Sequence, residues 1–154
     1  MTNNSPTSDY AARPAWLAVL ARATLSQLEA LLPAADELPE LNQVRPPEIG
    51  MLMLRGRVGG TGNPFNLGEA SVVRCAVRLG NGPLGVSYAL GRDKRRAELA
   101  ALCDAMLQDP QHHDELQRSL IGPLALAQAQ ARERTQRDVA GSKVEFFTFV
   151  RGEA

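Results

Sequence analysis

IGMLMLRGRVGGTGNPFNLGEASVVRCAVRLGNGPLGVSYAL, residues 49–90, is the stretch whose reading decides the fold. It opens on an unbroken apolar run, IGMLMLRGRV, that ends at Arg55 and Arg57 and has the length of a strand covered on both faces. Farther on, Val73, Cys75, Val77 and Leu79 alternate with Val72, Arg74, Ala76 and Arg78, which gives one apolar face and one carrying two arginines. Gly80, Asn81 and Gly82 suit a tight reversal. After it, Leu84, Val86, Tyr88 and Leu90 alternate with small or polar residues, so two antiparallel strands are expected.

The flanks read as helices. On the N-terminal side Pro14 suits a first helical turn, and Leu17, Leu20, Ala21, Leu28 and Leu31 share one side at helical spacing with Trp16 close by. One helix ending near Leu32 is expected, preceded by a loose tail over residues 1–12. PAADELPELNQVRPPE contains four prolines and reads as an extended connection. On the C-terminal side Asp93 caps a helix whose Leu99, Leu102, Cys103 and Met106 fall at i, i+3, i+4 and i+7. Asp109-Pro110 starts a second helix, which Gly122-Pro123 must interrupt or kink. The stretch to about Ala140 has strong helix propensity but a thin apolar face, which places it on the surface or on a partner. KVEFFTFVRG, residues 143–152, reads as a strand returning to the sheet. The expected fold is one α+β domain over residues 13–154: a mainly antiparallel sheet of about four strands, an N-terminal helix and a C-terminal group of two or three helices.

Bulk properties narrow the function. The 154 residues suit one domain, and 44% apolar with 22% charged residues are ordinary globular values. Seventeen basic residues balance seventeen acidic ones, so no global field steers the chain to nucleic acid or an anionic membrane. No apolar run reaches the roughly 20 residues of a membrane span, and the polar start lacks the pattern of a signal peptide, so a cytoplasmic protein is expected. Cys75 and Cys103 fit as reduced, buried thiols.

The glycine-rich stretch from Arg55 to Ala70 is the candidate site. Gly59, Gly60 and Gly62 permit the backbone of an anion-binding nest, Arg55, Arg57 and Arg74 supply charge, and Thr61, Asn63 and Asn66 supply hydrogen bonds. It matches neither the Walker pattern nor the dinucleotide fingerprint, since no lysine follows the glycines and strand-like alternation comes next. The competing reading is a long hairpin connection whose glycines serve bulges, with Phe65 and Leu67 anchoring it to a core or a neighbouring chain. His112 and His113, followed by Asp114 and Glu115, invite a metal. Adjacent helical residues diverge by about 100 degrees, however, and the chain holds no further histidine. The basic run of Arg92, Lys94, Arg95 and Arg96 is either a solvated face or a contact for an acidic partner or polyphosphate. No nucleophile with a base and no carboxylate pair stands out, so no catalytic residue and no metal is expected on this chain.

Three separated segments carry a resemblance: RPPEIGMLMLRGRVGGTGNPFNLGEASVVRCAVRL from Arg45, GVSYALGRDKRRAELAALCDAML from Gly85, and VEFFTFVRGE from Val144. Together they resemble the PhnG family of the carbon-phosphorus lyase core complex, over roughly residues 14–153. The resemblance implies a subunit that assembles with PhnH, PhnI and PhnJ, a complex to which an ATP-binding-cassette protein can attach. It implies that a phosphonate such as methylphosphonate displaces adenine from ATP, giving a ribose 1-phosphonate 5-triphosphate. The nucleosidase-like step then falls chiefly to PhnI and the later radical cleavage to PhnJ, while ATP and phosphonate are substrates of the complex and no cofactor sits on this chain. Assembly is the expected role. The alternatives are a direct contribution to a triphosphate site at a subunit boundary and a stand-alone interaction domain.

Overall fold

A computed structural model describes residues 9–33, Leu38 and residues 40–142. Helices α1 (Asp9–Arg22) and α2 (Leu25–Leu31) precede strands β1 (Leu41–Arg57), β2 (Pro64–Leu79) and β3 (Leu84–Leu90). Helices α3 (Lys94–Leu107), α4 (Pro110–Leu116) and α5 (Gly122–Gly141) follow. The architecture is α+β, with the three strands antiparallel in the order β1-β2-β3. The expected fourth strand, residues 143–152, lies outside the described residues.

Several boundaries differ from the sequence reading. The N-terminal helix begins at Asp9, with Pro14 inside it. It is two helices because Thr24 forms a capping box with Gln27: the Thr24 hydroxyl accepts from the Gln27 amide, and the Gln27 side chain accepts from the Thr24 amide. Much of the proline-rich connection is strand. β1 starts at Leu41 and runs through Pro46 and Pro47, with register irregularities between Gln43 and Glu48. A proline has no ladder donor to offer, and an edge strand with bulges tolerates it. Gly122-Pro123 coincides with a change in winding: a π-helical turn over Gln117–Ile121 joins α4 to α5.

The larger correction concerns IGMLMLRGRV, which the described residues do not cover on both faces. Met51, Leu52 and Met53 are 59%, 50% and 48% exposed. Element lengths explain this. At ~3.3 Å per residue β1 extends about 56 Å, whereas the 14 residues of α3, at ~1.5 Å each, cover only about 21 Å of sheet. β3 ends where the Gly91 amide donates to the Ser71 carbonyl, and beyond that point β1 and β2 continue, among the described residues, as a two-stranded arm.

At the base of the sheet, Val73, Cys75 and Val77 of β2 and Ala89 of β3 pack on Ala97 and Ala101 of α3. The remaining faces of α3 bury Leu99, Leu102, Cys103 and Met106 against Trp16, Leu20, Leu28, Leu116, Leu120 and Leu124. The expected stripe on α3 is therefore core, and α3 is covered almost all round. Both thiols are free and buried. Burial pushes the Cys103 thiol up to about 12 and, together with the nearby Glu98 charge, the Cys75 thiol up to about 11. Among the described residues no helix is long and apolar enough to cross a membrane.

One polar group sits in this core. Asp104, on α3, is fully buried. Its carboxylate accepts from Arg13 Nε at 3.2 Å and Nη2 at 2.7 Å, Trp16 Nε1 at 2.9 Å and the Val86 amide at 2.9 Å. The cluster is widened by Arg13 Nη2 and Gln108 Nε2, which donate to the Leu84 carbonyl at 3.1 and 2.9 Å. Thus α1, β3 and α3 meet at one residue. β3 also lies so close to α3 that a Cβ on Gly85 would stand 2.0 Å from the Ala101 carbonyl oxygen.

Asp104→Ala is expected to destabilise the fold by about 3–5 kcal/mol, because Arg13, the Trp16 indole and the Val86 amide all lose their acceptor. Gly85→Ala should cost about 3 kcal/mol or more, as the helix must lift from the strand. Urea denaturation of both variants checks these values. Cys103, protonated in the fold well above the 9.0 of an ordinary thiol, lends stability that is complete below pH 9.0 and lost as pH rises toward about 12. Cys103→Ala should flatten the alkaline arm of the stability profile.

Candidate docking arm and its glycine tip

The glycine-rich stretch is mostly strand. β1 runs to Arg57 and β2 begins at Pro64, with Arg57 opposite Pro64, Gly56 opposite Phe65 and Arg55 opposite Asn66. Leu54 then pairs with Gly68, so Leu67 is an extra residue in β2, a bulge that leaves its side chain exposed. Only residues 58–63 form the turn. Val58–Gly60 is a single 3-10 turn in which Gly59 and Gly60 hold φ of 59° and 82°.

The tip is braced from within. The Gly62 amide donates to the Val58 carbonyl at 2.7 Å, and Arg57 Nη1 donates to the Gly62 carbonyl at 3.2 Å. A Cβ on Gly62 would come within 2.6 Å of the Val58 oxygen, so the closed turn requires glycine there. Thr61 and Asn63 sit in the exposed turn and Asn66 in the strand just behind it.

Strand alternation puts Ile49, Met51, Met53, Arg55 and Arg57 on one face of β1, and Glu48, Gly50, Leu52 and Leu54 on the other. Each face of the arm is therefore an apolar stretch in water, and one of them ends in two arginines. Among the described residues neither arginine is in an ion pair with a carboxylate. Exposed patches of this kind mark surfaces that another molecule covers.

Arg74 does not belong to the tip. It lies ten positions from Pro64 along β2, about 33 Å away at strand spacing. It is held in place at the base of the sheet, where its Nε and Nη2 donate to Glu48 Oε2 at 3.0 and 2.9 Å, and Arg45 approaches the same oxygen at 3.5 Å. Glu48 first, and Tyr88 second, raise the pKa of Arg74 further.

The other sequence candidates serve local structure. Asp109 caps α4, accepting from the Gln111 amide at 3.0 Å, and this bond, with the His112 contact at 3.1 Å, lowers its pKa. His113 Nδ1 lies 2.6 Å from the Leu107 carbonyl, and its ring meets Trp16 edge-on at 5.5 Å. Among the described residues no three His, Cys, Asp or Glu side chains cluster as metal ligands. The basic run disperses: Arg95 pairs with Glu98 at 2.8 Å, and Arg96 turns back toward the Leu90 carbonyl. Sequence reasoning missed Asp104, Arg13 and Gly85. A carboxylate inside LCDAML, between positions of an apolar stripe, was the available signal for the first.

Two comparisons bear on this arrangement. A family model described as "Phosphonate metabolism protein PhnG" matches residues 11–152. A relative from Rhizobium meliloti (strain 1021), named "Alpha-D-ribose 1-methylphosphonate 5-triphosphate synthase subunit PhnG", is 43% identical over 156 residues, covering 99% of each chain.

Because the tip packs on no other described element, Gly62→Ala is expected to raise amide exchange at Val58 and Gly62 while global stability changes by less than about 1 kcal/mol. Hydrogen-deuterium exchange beside a urea melt separates the two effects.

Proposed function

The chain belongs to the PhnG family of phosphonate metabolism proteins, and from that premise we propose that it is an assembly subunit of an α-D-ribose 1-methylphosphonate 5-triphosphate synthase. In this reading it binds PhnH, PhnI and PhnJ, and the complex transfers methylphosphonate to the ribose C1 of ATP with release of adenine. The observation that carries the assembly role is the uncovered arm. Exposing Met51, Leu52 and Met53 together is costly for a chain that acts alone, and burying them at an interface recovers about 25 cal/mol for each Å² removed from water. The side chains that might otherwise suggest catalysis are occupied or inert. Both thiols are buried with raised pKa values, Ser87 donates to the Ala97 carbonyl at 2.7 Å, and each histidine has a partner next to its own helix.

A second reading is favoured by one feature, the two arginines that share the end of the arm. With Arg55 and Arg57 on one face and glycine backbone beside them, a tip inserted at a subunit boundary has the charge to hold triphosphate.

Co-expression of the tagged chain with the three subunits tests the first reading, and adenine release from ATP and methylphosphonate tests the second. The double substitution Met51→Glu, Met53→Glu is expected to cut recovery of the other subunits by about tenfold or more with an unchanged thermal midpoint, since both side chains face water in the isolated chain. Equal recovery would dismiss the arm as a docking surface. Arg55→Ala with Arg57→Ala should leave assembly intact and lower turnover if the tip holds triphosphate. Loss of assembly with no separate effect on turnover returns both arginines to the docking role.

A further inference from the structure

Along β3, a groove of about 640 Å³ runs between α1, the start of α3 and the root of the arm, with its floor on the sheet face that α3 does not cover. Its floor is Leu52 of β1, Val72 of β2, and Tyr88 and Leu90 of β3, the last two 60% and 59% exposed. A smaller hole of about 100 Å³ adjoins it, lined by Leu17, Leu20 and Val86 and sharing Ala21 and Tyr88 with the groove. Two cations stand at the groove's rim. Arg22, from the last turn of α1, uses Nη1 only on the Ala18 carbonyl of its own helix. Arg96, from the first turn of α3, reaches the Leu90 carbonyl through Nη2, and its Nε is buried without a partner among the described residues.

Among the described residues no carboxylate lines this groove. On the same sheet face Glu48 is already held by Arg74 and Arg45, and Asp93 is committed to the Arg96 amide as the cap of α3. An apolar floor under two arginines is complementary to a ligand that is apolar below and anionic at its edge. A free small anion has no use for the floor, and an uncharged apolar segment would leave the guanidiniums unpaired beside it.

We propose that this groove receives an acidic, apolar-faced segment of another subunit of the complex. A large apolar side chain of that segment enters the hole beside Tyr88, and an Asp or Glu one or two turns away meets Arg22 and Arg96. This rests on the assembly role argued above and adds a second contact to it, on a face of the molecule that the tip of the arm does not occupy. The two contacts share Leu52 and otherwise use different residues.

The test uses the full chain co-expressed with PhnH, PhnI and PhnJ. Arg22→Glu and Leu90→Asp are each expected to lower recovery of the partner by about tenfold. Raising salt from about 50 to about 500 mM should weaken the wild-type complex and weaken the Arg22→Glu complex much less, since in the variant salt also screens a like-charge repulsion against the partner carboxylate. With p-benzoylphenylalanine replacing Leu90, photolysis of the assembled complex should link this chain to a partner peptide with Asp or Glu within about four residues of a large apolar side chain. If the wild-type chain recovers no partner, the assembly role itself fails and the groove with it. If it does recover partners and both variants recover them equally well, the groove alone is overturned. A crosslink to a basic peptide, to a second copy of this chain or to its own residues 143–154 overturns it too, as does the absence of any crosslink.

Discussion

The carboxylate of Asp104 accepts hydrogen bonds from Arg13, from Trp16 and from the backbone of Val86, and these three donors belong to α1 and β3. A buried charge is tolerated only when every lone pair it presents finds a donor, so the N-terminal helix and the edge strand are held in one arrangement about α3. Apolar packing by itself would allow α1 to slide along the sheet. The polar cluster removes that freedom, and with it sets where the groove beside Tyr88 opens and how the arm leaves the globule.

From that anchored base the remaining architecture is a matter of unequal lengths. α3 spans the paired region of all three strands and stops, while β1 and β2 continue. A two-stranded ribbon with apolar residues on both faces is marginal in water, since neither face has a layer to pack on. The ladder, the bulge at Leu67 and the closed turn at Gly62 give the ribbon its shape. The chain belongs to the PhnG family, and its relative from Rhizobium meliloti is named as a synthase subunit.

Much of the candidate site could be read in the residues. The arginines at 55 and 57, the glycines at 59, 60 and 62 and the apolar residues Phe65 and Leu67 all fall on one arm, although Phe65 and Leu67, expected as anchors, are exposed there. Arg74 was grouped with them because it is near in sequence, yet strand rise carries it about 33 Å away and Glu48 takes it. Capping explains why the histidine pair dissolves: Asp109 needs a donor and the end of α3 needs one too, and both histidines are within reach.

Period-two alternation in β2 and β3, the turn at Gly80 and the stripe on α3 were determined by the sequence alone, because each depends on neighbours within a few residues along the chain. The same holds for the caps at Asp93 and Asp109 and for the thin apolar face of α5. Whether IGMLMLRGRV is buried was not decided there. An apolar strand looks the same whether its cover comes from its own chain or from another, and only the length of α3 set against β1 shows that the described residues do not supply it. Asp104 and Gly85 were likewise invisible, since their roles arise from segments that approach one another only after folding.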